Sequence, residues 1–278
     1  MIKNILSIDL EDHFCDLPKS EWGKYESRVE RTTMKILDLL ESYGSHATFF
    51  TLGYVAKNHP SLIEEVKNRG HEIASHGYSH IDIRKMSKSS FETDLRDSLS
   101  ILEKITGNKV LGYRAPWFSI NENNFWVFDI LKKYLKYDSS IFPVKFHYGF
   151  ANAPKYLYKM SNDDPLKNDN QSMFFEIPPT TIKLPILGKF PAAGGIYLRF
   201  FPTCIIRSAI KGSNRDGFPA MLYFHPHDFD PNRPRLKGLA WHNFYGLKKA
   251  TEKFETILNE FEFVTVKDAL KLSLNNES

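Results

Sequence analysis

The sequence predicts an α/β fold built on a parallel sheet, open or closed into a barrel. Through the first half, short runs of strand-forming residues alternate with longer stretches of helical apolar spacing. Three clusters of Asp, Glu and His each follow directly on a predicted strand, where chemistry gathers in such folds. The 278 residues are 42% hydrophobic and 25% charged, the balance of a globular chain of one large domain or two small ones. That balance excludes a disordered chain, a coiled coil and a collagen-like repeat.

Residues 5–9 form the first strand and run straight into acids. Val29, Ile36, Leu37, Leu40 and Tyr43 recur at helical spacing, with Gly44 placed to end that helix. Residues 47–52 are strand formers. Pro60 suits a first helical position, and Gly70 closes the helix it starts. Residues 72–75 form a strand, and Ser89 with Glu92 has the pattern of a capping box before Leu95, Leu99, Leu102 and Ile105. Gly107 ends that helix; residues 110–113 form a strand, 121–135 a helix and 137–141 a strand.

From 142 to about 175 polar residues, aromatics and prolines predict a long loop or small insertion, with a strand at 174–177. Residues 191–199 look like a turn entering an extended segment. Alternation returns with a strand at 220–224, a helix at 244–261, a strand at 261–266 and a helix at 267–274, then a frayed tail. No internal repeat interrupts the chain, so a single domain over residues 1–278 is the simplest organisation.

Cys15 and Cys204 are the only cysteines, which excludes a disulfide framework and a CxxC pair. Acids at 9, 11 and 12 cut short any signal-peptide core, and no run reaches the length of a membrane span, so the expected compartment is the cytoplasm. The net charge of +4 is too small to indicate nucleic acid but suits an anionic substrate. With 22 Phe and 13 Tyr the chain can fill a core and still line a cleft with rings.

In the first cluster, Asp9-Leu-Glu11-Asp12, three carboxylates repel one another unless a cation or a shared proton relieves them. On a strand Asp9 and Glu11 face the same way. A solvated acidic loop is the competing reading. In the second cluster His76 and His80 stand four apart across Gly77, and neutral imidazole suits zinc and other first-row metals. Two histidines and one acid leave positions open for water and substrate. In the third, His225 ends the strand at 220–224 and is placed for acid–base work.

Asp9-x-Glu11-Asp12, His76-Gly-Tyr78-Ser-His80, Tyr113-Arg114-Ala-Pro116-Trp117, Tyr137-Asp138-Ser-Ser140 and Tyr223-Phe-His225 resemble, in order, the five motifs of the polysaccharide deacetylases, the NodB-like carbohydrate esterase family four. The resemblance runs from about residue 5 to 228. It is closest to a branch with peptidoglycan deacetylase-like, allantoinase-like and exopolysaccharide-associated proteins. It implies a distorted (β/α)7 barrel.

It also implies roles. His76 and His80 would bind one divalent metal with an acid of the first cluster, zinc first, with cobalt, nickel or another first-row metal as alternatives. A second acid would be the general base, oriented by Arg114. Pro116, Trp117 and Tyr78 would line the sugar pocket, with a backbone N–H near Trp117 at the oxyanion. Asp138 would sit near His225 and tune it, and His225 would protonate the departing amine. The first motif departs from the family's adjacent aspartate pair. Asp9 is favoured as base and Asp12 as metal ligand, Glu11 is the rival for either catalytic role, and His13 stands within reach. Gly195 and Arg199 would shape the rim, with Arg199 meeting a phosphate or serving as a plain surface charge. The expected activity is removal of acetyl from an N-acetylated sugar of a bacterial surface-glycan pathway, as a nucleotide-linked or lipid-linked precursor. The alternatives are hydrolysis of a cyclic amide, as in allantoinase-like relatives, and a silent glycan-binding protein.

Overall fold

The computed structural model of the chain describes residues 2–145, 149–184 and 188–276. In chain order the elements are β1 Asn4–Leu10, α1 Val29–Ser42, β2 Thr48–Thr51, α2 Gly53–Asn58, α3 Pro60–Asn68, β3 Glu72–Ser75, α4 Lys88–Thr106, β4 Gly112–Tyr113, α5 Trp126–Tyr134 and β5 Tyr137–Asp138. Then come β6 Tyr158–Lys159, β7 Phe175–Glu176, β8 Thr181–Leu184, β9 Gly188–Pro191, α6 Gly195–Phe200, α7 Thr203–Arg215, β10 Met221–Phe224, α8 Leu247–Glu260, β11 Phe263–Val264 and α9 Val266–Asn276.

The sheet runs β10-β1-β2-β3-β4-β5-β7, all parallel, with β6 antiparallel at the far edge and β11 added on β1. This is the mixed α/β architecture the sequence predicts. The sheet is curled, as a single side chain shows. Arg114, just past β4, reaches Ser7 and Asp9 on β1, Ser139 past β5 and Met221 on β10. Among the described residues no strand pair joins β7 to β10. The seam is bridged by Thr180, whose N–H donates to Met221 O (3.0 Å) and whose Oγ1 accepts from Met221 N–H (2.6 Å).

Register fixes where chemistry collects. Leu10, Thr51, Ser75, Tyr113, Asp138 and Glu176 pair in one continuous row. The next residues, Glu11, His76, Arg114 and Ser139, therefore emerge side by side at the carboxyl end of the sheet.

Local structure differs from expectation in a few places. The capping box of α4 is Ser87 with Ser90, two residues before the expected Ser89 and Glu92. The strands expected at 110–113 and 137–141 shrink to two residues each, Gly112–Tyr113 and Tyr137–Asp138, and past β5 Ser140 Oγ accepts from Ala115 N–H instead. The segment at 195–199 is the helix α6, not extended chain; burial of Leu198 and Arg199 against the rest of the protein settles it. The sequence reading missed α2, α7 and the β8–β9 hairpin. The expected insertion adds β6 and a bridge between Met160 and Asn168; residues 146–148 of it, and the end of the expected tail at 277–278, lie outside the described residues. Among the described residues no helix is long and apolar enough to cross a membrane.

Candidate active site

A cleft of about 320 Å³ opens at the carboxyl end of the sheet, and Asp9, Glu11, His76, His80 and His225 line it. Glu11, His76 and His80 are all buried, and each offers a ligand atom within 4.8 Å of the others. Glu11 Oε2 lies 2.7 Å from His80 Nε2 and 4.0 Å from His76 Nε2. The opposite ring nitrogens are tied to carbonyls: His76 Nδ1 to Arg114 O at 2.8 Å, and His80 Nδ1 to Cys15 O at 3.0 Å. A carbonyl only accepts, so each Nδ1 carries the hydrogen and, in a neutral ring, each Nε2 presents a lone pair. Burial pushes His76 down to about 3, which keeps it neutral. Glu11 Oε2 is buried with no hydrogen-bond donor. Burial would lower His80, but the Glu11 charge 2.7 Å away outweighs it and raises that imidazole above its usual range. Acceptors converging at such distances fit a divalent cation, with the histidine tautomers set by their carbonyl partners.

Asp9 stands beside this group. Its Oδ1 accepts from Arg114 Nη1 at 2.6 Å, and its Oδ2 is 3.8 Å from His225 Nε2. Burial opposes charge on Asp9, but Arg114, His76 and His225 outweigh it and hold the carboxyl below its usual range. Arg114 is fully buried, with its guanidinium 4.1 Å from the centre of the Phe50 ring.

His225 faces the cleft from the other side, with its side chain 24% exposed. Its Nδ1 meets Asp228 Oδ2 at 3.0 Å, and its backbone N–H donates to the same oxygen at 2.9 Å. Burial would lower its pKa; the carboxylates of Asp228, Glu11 and Asp9 reverse that and push it up to about 9. Asp228 in turn pairs with Arg199 Nε at 3.1 Å and is held well below the usual carboxylate range, its burial outweighed by Arg199 and His225. Gly195 is required here by close approach. A Cβ on it would lie 1.7 Å from Asp228 Oδ2. His225, His227 and Asp228 also lie close enough to hold an ion, but Arg199 already neutralises their carboxylate.

The remaining expected residues divide. Trp117 lines the cleft, its ring against His80 at 4.3 Å and its Nε1 donating to Asp16 at 2.8 Å. Trp117 and Phe118 both have φ near 53°, a left-handed strain of the sort that collects at functional sites. Gly195 and Arg199 also line it.

Expectations for six residues are corrected. Asp12 is not grouped with His76 and His80. Its carboxylate is taken by His13 (2.7 Å) and by the backbone N–H groups of Arg28 and Val29 at the start of α1, and Glu11 stands where the acid ligand was expected. His13 is turned to Asp12 by the same pair. Asp138 is fully buried and serves Ser140, which holds Ala115 N–H, so the partner of His225 is Asp228. Tyr78 packs on Gly53 and lines a separate surface groove, and Pro116 is buried and does not line the cleft. Arg199 is neither a phosphate ligand nor a free surface charge. Besides Asp228 it holds the carbonyls of His242, Asn243 and Tyr245 with Nη1 at 3.0, 3.2 and 2.7 Å. Neither Asp16 nor Asp228 is among the site residues expected from the sequence. The His225-x-x-Asp228 spacing, one turn around Pro226, was the available signal for the second.

Comparison with known proteins adds the following. Residues 19–133 match the family model described as polysaccharide deacetylase, and residues 139–271 match a domain of unknown function (DUF3473). A peptidoglycan-N-acetylglucosamine deacetylase of Bacillus cereus is 34% identical over 91 residues, covering 33% of each protein. The matches span less than half the length of the first curated relatives, from 18% to 43%. Among solved structures, a polysaccharide-deacetylase-like protein of Mycobacterium smegmatis superposes with a TM-score of 0.62 at 17% identity, over 98% of this chain and 90% of that one. A CE4 family pseudoenzyme of Bacillus anthracis superposes with a TM-score of 0.53 at 15% identity, over 96% and 66%. At these identities the likeness speaks for the fold.

Proposed function

The chain carries a polysaccharide deacetylase domain, and from that premise we propose that it is a metal-dependent hydrolase that removes acetyl from an N-acetylated amino sugar. The observation that carries this is the convergence of Glu11 Oε2 with the lone-pair sides of His76 and His80, flanked by Asp9–Arg114 and by His225–Asp228. We assign Glu11, His76 and His80 to the cation. When bound there, a divalent cation supplies Lewis-acid polarisation of an acyl oxygen.

The chain's own residues account for the proton movements. Asp9, kept ionised by Arg114, accepts a proton from the attacking water. His225, charged near neutral pH, delivers a proton to the sugar nitrogen as the carbon–nitrogen bond breaks, leaving acetate and a free amine. Asp228 orients the imidazole through Nδ1 and aims Nε2 into the cleft. Trp117 supplies a half-exposed ring for the sugar, 39% accessible. Peptidoglycan deacetylases among the relatives support a bacterial surface glycan as the substrate. Arg199 is committed to protein partners, so it gives no support to a phosphate-linked precursor. We also propose that the two matched stretches form one domain, since the sheet takes strands from both.

Metal analysis tests the assignment. Purified protein should hold about one divalent metal per chain and release acetate from N-acetylhexosamine glycans, and a His76→Ala, His80→Ala double variant should do neither. Wild-type protein that stays metal-free after incubation with zinc, cobalt or nickel defeats it.

A further inference from the structure

We propose that the exposed ring cluster of Trp241, Tyr245 and Phe200 is a second carbohydrate subsite, which stacks on the sugar next to the one whose acetyl group lies between His80 and His225. This rests on the deacetylase reading above. The three residues are 66%, 49% and 38% exposed, unusual for such large rings. They touch one another: Phe200 lies 4.4 Å from Tyr245 and 5.9 Å from Trp241 between ring centroids, and Trp241 lies 6.2 Å from Tyr245. Exposed apolar patches of this kind mark binding surfaces.

The patch continues the cleft. Trp241 belongs to the short turn Trp241–Phe244, whose next residues His242 and Asn243 line the cleft wall. Phe200 ends α6, whose Ile196 and Tyr197 line it too. A glycan chain leaving the cleft along this wall therefore meets the three rings next. Pyranose rings have an apolar C–H face and a polar rim. Flat aromatic faces flanked by polar His242 and Asn243 match both.

The platform is also held in place. The Arg199 guanidinium that pairs with Asp228 binds the carbonyls of His242, Asn243 and Tyr245, so the loop that carries the rings is fixed to the same element as the partner of His225. A surface ordered before binding loses little entropy when occupied. The competing occupant is an anionic lipid surface, because Arg235, Lys237, Lys248 and Lys249 are exposed on either side of the turn. Continuity with the cleft and a preorganised backbone favour the sugar.

The test compares kcat/KM for acetate release from β-1,4-linked N-acetylglucosamine oligomers of one, two and four sugars, with metal-loaded wild type, Trp241→Ala and Tyr245→Ala. One stacked ring supports a gain of about tenfold from monomer to tetramer in wild type, and that gain should collapse in Trp241→Ala and shrink in Tyr245→Ala. Melting curves confirm that both surface variants are folded. A gain of equal size in all three proteins, or no gain in wild type, overturns the subsite. So does a Trp241→Ala variant that keeps the gain but no longer sediments with phosphatidylglycerol vesicles, which assigns the patch to a membrane. Acetate release without a length effect defeats the subsite alone. Hydrolysis of 4-nitrophenyl acetate with no release from any oligomer defeats the glycan reading and takes the subsite with it.

Discussion

Adding one methyl group at Gly195 ought to disable amide hydrolysis while sparing an activated ester. The Cβ of a Gly195→Ala variant would lie 1.7 Å from Asp228 Oδ2, 2.0 Å from Cγ and 2.4 Å from Oδ1. Ordinary contact needs about 3.4 Å, so the carboxylate must retreat by roughly 1.5 Å or the helix must lift off. Asp228 has no easy retreat. Arg199 holds Oδ1 at 3.1 Å, and the His225 ring and backbone N–H hold Oδ2 at 3.0 and 2.9 Å. Overpacking of this kind costs about 1–3 kcal/mol. For a chain of this size that lowers Tm by roughly 3–9 °C.

The catalytic effect is larger, because a misplacement of about 1 Å in a positioning group costs on the order of a hundredfold in rate. Sugar amines are poor leaving groups and need the proton that His225 supplies. 4-Nitrophenoxide leaves without one. The assay is therefore acetate release from an N-acetylated sugar beside hydrolysis of 4-nitrophenyl acetate, with metal content measured on the same samples. The expected result is a loss of about a hundredfold on the amide, about threefold or less on the ester, and unchanged metal. An amide rate within threefold of wild type would refute the reasoning, because Asp228 would then not govern His225. Equal losses on both substrates would refute it as well, by showing general collapse of the site.

Two further predictions separate residues that the sequence leaves entangled. Asp12→Ala should lower stability by about 1–2 kcal/mol through loss of the acceptor at the start of α1, yet keep its metal, whereas Glu11→Ala should lose the metal; metal analysis showing the reverse pattern would return the ligand role to Asp12. The buried pair Asp138 and Glu176 gives a pH signature: burial raises both carboxyls, and Glu176 stays protonated well above its usual range. Both pKa values are raised in the folded protein, so this contribution is present at low pH and is lost as pH rises above the carboxyl range of the unfolded chain. Glu176→Gln supplies an amide N–H in place of the acid proton and keeps an oxygen for Ile141 N–H (2.9 Å), so Tm should be preserved at pH 6 and should fall less than in wild type by pH 9. A steeper alkaline loss in the variant would show that the two acids do not share a proton.

How far the site could be read from sequence depended on whether a residue's role is set by its own strand or by a distant one. His76, Arg114 and His225 were legible because each follows a strand directly, with His80 in the loop after His76, and parallel register carries the three strand ends to one rim. Strand-forming runs and the 3.6-residue spacing of Ile36, Leu37 and Leu40 likewise announced the first half of the fold. The acids were harder. Within Asp9-Leu-Glu11-Asp12, alternation puts Asp9 and Glu11 on one face, and both line the cleft while Asp12 does not. The family resemblance favoured Asp12 instead, and nothing local revealed that the N-terminus of α1, sixteen residues on, would claim it. Arg199 illustrates the same limit more strongly. In sequence it is a cation after two glycines, fit for a rim or a phosphate; its actual partners, Asp228 and three carbonyls near Tyr245, lie 29 to 46 residues away, and only the closed fold brings them together. The unmatched charge of a buried guanidinium is expensive, and at Arg199 the Asp228 carboxylate completes it. A lone basic residue beside a Gly-Gly step therefore has two readings from sequence, and the acid three residues past His225, Asp228, is the feature that decides between them.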